Sequence, residues 1–353
     1  MFIYIIQISL LLFVGLFTNP YRKDSLKTYK LLFFVLSFFV MAFRDLSVGV
    51  DTLSYSFIYQ EISSRTFSQL LYSNIYQHEI LFKLLVKLSS VIYDSYFFYQ
   101  TVISFLICFG IIRFLEKSSK DFVFTSLIIL CCGLYLSAFN ITRQMLAVVL
   151  LLNGWIFLLE HKHVKAWGVW VIATQIHLSS VIFIVAYILY YLVVFLKRKW
   201  IVYLMPIVVA LFYYFFFQII ELFGSEFDMY SNYLKNKKEI ITAGGIVVIW
   251  SIVLLVSLYV LYVSGRKTNV ITKTAAVLSL AYVASKLIGL EFNYFDRIGA
   301  YFMAFIIVVF EAATDCINSR PFSKLFKYSI LFLYVIYYCL SVTSEQYQYN
   351  FYF

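Results

Sequence analysis

The sequence predicts an all-α polytopic membrane protein. Of its 353 residues, 63% are hydrophobic and only 13% are charged, and the mean hydropathy is +0.88. These values exclude a cytosolic globular enzyme, a disordered chain and a disulfide-stapled secreted domain. The apolar residues form long continuous runs instead of the short alternating segments of a β-barrel. Because the polar segments are too short for an independent soluble domain, we predict a single membrane domain over residues 1–353.

Each long apolar run predicts one membrane-spanning helix, which gives about 12 spans in all. The runs cover residues 2–18, 31–43, 96–112, 122–139, 144–159, 164–176, 178–196, 200–222, 244–263, 274–290, 298–314 and 328–342. A further helix is expected near 79–93, where Glu79, Lys83 and Lys87 are spaced four residues apart and share one face. We predict that this helix is interfacial or re-entrant and does not span the membrane.

The net charge of +10 comes from basic residues in short loops between the apolar runs, so it indicates topology and not nucleic-acid binding. Basic loops are expected in the cytoplasm, and this places both termini outside. It also requires turns near Asn140–Arg143 and His177. The opposite face then receives the unusual polar residues, with outer loops at 44–78 and 223–243 over the candidate site.

Three arginines are predicted at the outer ends of three separate helices: Arg44, Arg143 and Arg297. A guanidinium at this depth needs a partner, and arginine binds a phosphate through two parallel hydrogen bonds. The alternatives are snorkelling or a salt bridge with Asp45 for Arg44, and a carboxylate from a neighbouring helix for Arg143.

The residues after Arg44 suggest a phosphate-binding turn. Gly49 allows a sharp turn, and Asp51 or Thr52 suits the N-cap of a following helix. A loop that returns to a helix N-terminus beside an arginine is suited to an anion.

Four titratable residues on the predicted outer face are candidates for acid–base chemistry: His177, Asp51, Glu79 and Asp296. A membrane histidine is also common as a hydrogen-bonded structural residue, and each carboxylate could instead pair with an arginine. In the loop 223–243, Tyr230 and Tyr233 suit either a sugar-binding surface or an interfacial aromatic belt. No metal-binding or nucleotide-binding motif occurs, so the sequence predicts no metal and no cofactor.

Together these motifs resemble the EpsG-family, Wzy-like polysaccharide polymerases of bacterial envelopes. The resemblance rests on Phe43-Arg44, Val48-Gly49-Val50-Asp51-Thr52 with Tyr55, Glu79, Asn140-x-x-Arg143-Gln144-x-x-Ala147, His177-Leu178-Ser179, and Arg297 with Tyr301-Phe302. The family commonly has Gly-Thr-Asp-Thr where this chain has Gly49-Val50-Asp51-Thr52, which is a mild departure.

The resemblance implies a GT-C-type glycosyltransferase in the bacterial inner (cytoplasmic) membrane, with its active site facing the periplasm or outside. Such an enzyme transfers a growing undecaprenyl-pyrophosphate-linked glycan onto a lipid-linked repeat unit, and its products are O-antigen, capsule or exopolysaccharide. The bilayer, a chain-length regulator and a flippase are the further partners that it implies. The predicted catalytic residues are Arg44, Arg143, Arg297, His177, Asp51 and Glu79, and the predicted substrate-binding residues are Gly49, Thr52, Tyr55, Gln144, Asp296, Tyr301, Tyr230 and Tyr233.

Three other functions remain open at this stage. A flippase for lipid-linked oligosaccharides would also have many spans, although no internal repeat is visible. A ligase would use the same donor with a different acceptor. A membrane-bound acyltransferase would need a buried histidine in the cytoplasmic half, with an acidic neighbour.

Overall fold

A computed structural model describes residues 1–19, 22–73, 76–223, 244–290 and 293–352. Within these ranges the chain is helical, and β structure is limited to one isolated antiparallel bridge between Arg44 and Phe351. The predicted all-α class is therefore confirmed. Every predicted apolar run lies on helical structure, and the helix expected near 79–93 is present at Ile80–Ile92.

The described residues form 17 α-helices. They are α1 (Phe2–Phe17), α2 (Lys23–Ala42), α3 (Thr52–Ser63), α4 (Phe67–Leu71), α5 (Ile80–Ile92), α6 (Tyr96–Ser118), α7 (Phe122–Cys131), α8 (Leu134–Asn140), α9 (Thr142–Leu159), α10 (His163–Ile176), α11 (Ile184–Tyr190), α12 (Ile201–Phe223), α13 (Gly244–Leu258), α14 (Val270–Gly289), α15 (Asn293–Met303), α16 (Ile306–Cys316) and α17 (Arg320–Ser341). Short 3₁₀ helices cover Leu178–Phe183, Gly265–Lys267 and Glu345–Tyr347, and π-helical turns cover Tyr191–Phe195 and Tyr259–Val263.

Among the described helices, seven are long and apolar enough to cross a membrane, or up to nine if each of two bent pairs forms one span. This is fewer than the 12 spans predicted from hydropathy. Three predicted runs account for the difference. Helices α1 and α10 have only 16 and 14 residues, and in α12 the apolar stretch counted is Ile201–Phe215, whereas a straight span needs about 20 residues. The bent pairs are α7–α8, which bend by 41°, and a second pair, α15–α16, which bend by 49°. Gly133, with a φ of 97°, separates α7 from α8.

The chain divides into two compact units, Met1–Ile182 with Leu331–Phe353, and Phe183–Ile330. In the first unit, α9 packs between α6 and α10. A Cβ added at Gly110 would lie 3.0 Å from Val149, so glycine lets α6 approach α9 closely. Asn153 of α9 donates to the Gly110 carbonyl oxygen at 3.0 Å and joins the same two helices. In the second unit, α14 packs against α12, α13, α15 and α16.

The charged residues of α5 point inward. The Lys83 Nζ donates to the Leu70 carbonyl oxygen at 2.8 Å, and the Lys87 Nζ donates to the Ser63 carbonyl oxygen at 2.7 Å. These carbonyl groups belong to the last turns of α4 and α3. The last carbonyl oxygens of a helix have no N–H partner within the helix, and a positive charge is favourable there. The opposite face of α5 exposes apolar side chains, including Leu88 and Ile92. The helix therefore presents its apolar face to its surroundings, as expected of a helix that contacts lipid.

Candidate active site

Glu79 is the centre of a polar cluster in the first unit. Its Oε2 accepts a hydrogen bond from Arg143 Nη1 at 2.6 Å. Its Oε1 accepts from the Leu178 backbone N–H at 2.9 Å and lies 3.1 Å from His177 Nδ1. Glu79 is only 6% exposed, so its charge is compensated by these groups and not by water. Three predicted catalytic residues from distant parts of the chain are thus brought together.

Helix ends position the three side chains. The Glu79 N–H donates to the Tyr76 carbonyl oxygen at 2.8 Å, and this turn leads directly into α5. Arg143 is the second residue of α9. His177 ends α10 in an extended conformation, and the 3₁₀ helix that follows begins at Leu178 with a free N–H to donate. The predicted breaks near Asn140–Arg143 and His177 are confirmed as helix boundaries.

The contact between His177 and Glu79 assigns the histidine tautomer. An ionised carboxylate can only accept hydrogen bonds, so Nδ1 carries the proton when it bonds to Glu79. In neutral His177 the lone pair is then on Nε2. The His177 side chain is 18% exposed. A carboxylate that holds one imidazole nitrogen and leaves the other free to accept a proton is the arrangement of a general base.

Arg143 is held between a carboxylate and two aromatic rings. Its guanidinium carbon lies 3.7 Å from the centroid of the Tyr76 ring and 5.2 Å from that of Phe82. The carboxylate partner that the sequence left open is therefore Glu79. The buried Arg143 Nε has no hydrogen-bond partner in the described part of the chain, although the side chain as a whole is 13% exposed.

Asp51 and Arg143 both interact electrostatically with Tyr55, so these residues lie near one another. Burial raises the pKa of Tyr55 to about 12, with Arg143 opposing and Asp51 adding to the shift. Burial also raises the pKa of Tyr76, and the same two charged residues act on it. Asp51 occupies the predicted N-cap position of α3, but its side chain forms no capping hydrogen bond. The predicted turn therefore leads into a helix without the expected cap.

The turn before α3 requires glycine at position 49. Gly49 has a φ of 94°, and an added Cβ would lie 2.3 Å from the Phe139 carbonyl oxygen. The Thr52 hydroxyl donates to the Val48 carbonyl oxygen at 2.6 Å and to the same Phe139 oxygen at 3.1 Å. The sharp turn predicted at Gly49 is confirmed, and it packs directly on the end of α8. Gln144, predicted to bind substrate, is buried in α9.

Arg44 is buried, at 1% exposure. Its guanidinium donates to the Met41 carbonyl oxygen and, at 3.4 Å, to the Thr142 hydroxyl, and it stacks 5.0 Å from the Phe139 centroid. Asp45 is not its partner, because the Asp45 Oδ1 accepts from the backbone and hydroxyl of Ser47. No carboxylate in the described ranges forms a salt bridge with Arg44. By donating to the Thr142 hydroxyl, Arg44 supports the first residue of α9, and Arg143 is the next residue.

The sequence model of the EpsG family matches residues 27–353. The chain belongs to the EpsG family. Comparison with curated proteins and with solved structures gave no significant match. Membership in the EpsG family indicates a polysaccharide polymerase-type function, and the match covers nearly all of both compact units.

The remaining predicted site residues of this EpsG-family chain lie in the second unit or outside the described residues. On α15, Arg297 is exposed, whereas Tyr301, four residues later, is fully buried. Asp296 forms a salt bridge with Lys286 at 2.6 Å, and Lys286 was not among the predicted residues. Tyr230 and Tyr233 lie outside the described residues.

Tyr76 is the main residue of the candidate site that the sequence did not reveal. Its φ of 43° lies in the left-handed region, which is uncommon for a residue other than glycine. Such backbone conformations occur mostly where the surrounding structure enforces them. Here the ring covers the guanidinium of Arg143. No spacing or motif marks Tyr76, because its role depends on a contact with a residue 67 positions later (143 − 76).

Proposed function

We propose that this chain is a polysaccharide polymerase that transfers a growing undecaprenyl-pyrophosphate-linked glycan onto a lipid-linked repeat unit. The transfer would occur at the outer face of the bacterial inner membrane. Family membership supports the reaction class. The observation that carries the chemical proposal is the contact of Glu79 with both His177 and Arg143.

In this proposal His177 is the general base. A hydroxyl of the acceptor sugar loses its proton to Nε2 as its oxygen bonds to the anomeric carbon of the donor. The bond between that carbon and the pyrophosphate oxygen breaks, and undecaprenyl pyrophosphate leaves with the electron pair. Glu79 keeps the proton on Nδ1 and stabilises the imidazolium that forms, which is the role of the carboxylate in a catalytic triad.

Arg143 would stabilise the charge that develops on the leaving pyrophosphate. It is the guanidinium that lies beside the proposed base, and stacking on Tyr76 and Phe82 limits its motion. Arg44 would act as a positioning residue, since it is buried and supports Thr142 next to Arg143. Asp51, at the N-cap position of α3, is proposed to contribute to donor binding.

The test is to reconstitute the purified protein in liposomes with lipid-linked repeat units. We expect a ladder of longer lipid-linked glycans. The variant His177→Asn should form no ladder, because an asparagine amide can still donate to Glu79 but has no group that can replace Nε2 as a base. His161→Asn is the matched control, since His161 is an exposed loop histidine, and it should elongate normally.

Three results would contradict the proposal. Movement of the lipid between leaflets without elongation indicates a flippase. Transfer to a different acceptor, without repeat-unit elongation, indicates a ligase. A full ladder from His177→Asn removes His177 as the base.

A further inference from the structure

The segment 345–352, which follows α17, lies against the loop between α2 and α3. The two backbones share three hydrogen bonds, of which the first two form the antiparallel bridge between Arg44 and Phe351. They are Tyr352 N–H to the Phe43 oxygen at 3.0 Å, Asp45 N–H to the Asn350 oxygen at 2.9 Å, and Gly49 N–H to the Gln346 oxygen at 2.8 Å. The backbone N–H and carbonyl groups of this loop lie outside the hydrogen-bond pattern of α2 and α3. A segment about 300 residues away supplies their partners.

Asn140, at the end of α8, joins this segment to the loop. Its Oδ1 accepts from the Val50 N–H at 2.8 Å. Its Nδ2 donates to Gln346 Oε1 at 3.3 Å and to the Tyr347 hydroxyl at 3.0 Å. The amide of Asn140 is thus bonded at both ends.

The hydrogen bonds of Asn140 connect the segment to two residues close to the candidate site in sequence, Val50 and Asn140 itself. Val50 immediately precedes Asp51, and one residue, Ile141, separates Asn140 from α9, which begins with Thr142 and Arg143. Any shift of segment 345–352 therefore displaces groups that are covalently one to three residues from Asp51 and Arg143. Tyr347 is buried, and its hydroxyl also donates to the Leu136 oxygen at 3.4 Å, which connects the segment to α8.

We propose that the segment 345–352, acting through Asn140, is a positioning element that holds the Asp51 turn and the start of α9 in register. The proposal rests on the proposed function, because the positioned groups are those assigned to glycan transfer. It concerns residues that contact no reacting group themselves, and displacements of about 1 Å in such supports can cost about a hundredfold in rate.

The test uses the full chain in nanodiscs and two measurements. Hydrogen exchange of a peptide covering residues 46–52 reports on the Gly49 and Val50 amides without any substrate. Elongation of lipid-linked repeat units gives kcat and KM. The variants are Asn140→Ala, truncation after Thr343, and the two combined. Gln348→Ala is the matched control, because Gln348 is an exposed glutamine on the same segment.

We expect Asn140→Ala and the truncation each to speed exchange at 46–52 and to lower kcat about tenfold or more, with KM changed less than about twofold. The combined variant should be little worse than either alone, because both remove one network. Gln348→Ala should match the wild type.

Several results would overturn the proposal. Wild-type exchange in both Asn140→Ala and the truncation would show that the segment does not hold the turn. Faster exchange with unchanged kcat would show that the turn needs no positioning. A lower kcat with unchanged exchange would place the effect elsewhere. If the wild type elongates nothing, the proposed function fails while the exchange measurement still tests the contact.

Discussion

Glu79 uses its two carboxylate oxygens for two different partners, an arginine and a histidine. It forms a salt bridge with Arg143 and holds His177 through its other oxygen, and the Leu178 N–H adds a third donor. Removing the Arg143 cation would leave the buried Glu79 carboxylate without its charged partner, which costs about 3–5 kcal/mol for a buried ion pair. We therefore expect the three side chains to behave as one unit in mutational studies and their effects to be strongly non-additive.

Arg143→Lys tests whether the planar guanidinium matters beyond its charge. Lysine keeps the positive charge but cannot stack on Tyr76 or bind a phosphate through two parallel bonds. We expect kcat for elongation to fall roughly tenfold to a hundredfold. Arg113→Lys is the control, since Arg113 also stacks on an aromatic ring, 4.9 Å from the Phe157 centroid. Equal activity of the two variants would argue against a role for Arg143 in the reaction.

Gly49→Ala should destabilise the protein. The residue has a positive φ, and its Cβ would overlap the Phe139 carbonyl oxygen. Backbone strain alone costs about 1–3 kcal/mol, so the thermal unfolding midpoint in detergent should fall. Gly168→Ala, within α10, should not lower the midpoint, because nothing lies within 4 Å of its Cβ and alanine favours a helix. An unchanged midpoint for Gly49→Ala would contradict the turn geometry.

Individual site residues could be predicted from the sequence, but their contacts could not. Glu79, Arg143 and His177 stood out because charged residues and histidines are few in this chain and these three lie near the ends of apolar runs. Which of the possible partners each would take depends on packing among α5, α9 and α10. The burial of Arg44 could not be predicted from the sequence either. An arginine at a helix end can bind a ligand or support a neighbouring turn, and both look the same in the sequence.

At the scale of elements, the polar face of α5 is buried and its apolar face is exposed, the opposite of a surface helix on a soluble protein. Lys83 and Lys87 point toward the carbonyl ends of α4 and α3, and the apolar face is exposed. The four-residue spacing correctly predicted that the charges share a face. It could not predict that this face turns inward, since that depends on the short helices α3 and α4.

Lys83→Met should loosen α4. Methionine has a similar length but cannot donate to the Leu70 and Ser73 carbonyl oxygens, and a hydrogen bond from a charged donor contributes about 1.5–3 kcal/mol. Hydrogen exchange in residues 66–73 should therefore become faster. Lys117→Met is the control, because Lys117 is exposed and pairs with Glu160 at the surface. Unchanged exchange at 66–73 would mean that α4 does not depend on Lys83.

Helix positions could be predicted because hydropathy is a local property, whereas the bends between helices could not. The runs at 122–139 and 298–314 each gave one predicted span, and each is a bent pair of helices. In the first pair, the bend follows from Gly133 in the left-handed region. In the second, α15 and α16 meet near Ala304 with no glycine or proline at the break, so the sequence offered no warning.

At the scale of the whole molecule, the basic loops predict which segments face the cytoplasm. We expect a cysteine at Gln60 to react with a membrane-impermeant thiol reagent in intact cells, and a cysteine at Lys199 to react only after permeabilisation. Both positions are exposed. The background should carry Cys339→Ser, because the other native cysteines are buried. The reverse labelling pattern would contradict the predicted orientation.

The sequence separation within the Glu79 cluster affects how the chain can be made. During synthesis Glu79 leaves the ribosome 64 residues before Arg143 and 98 residues before His177. At about 5–20 residues per second, its carboxylate waits on the order of 5–20 s for its last partner. During that interval water has to solvate the Glu79 carboxylate, so the contacts of α5 with α10 form only after α10 has been translated.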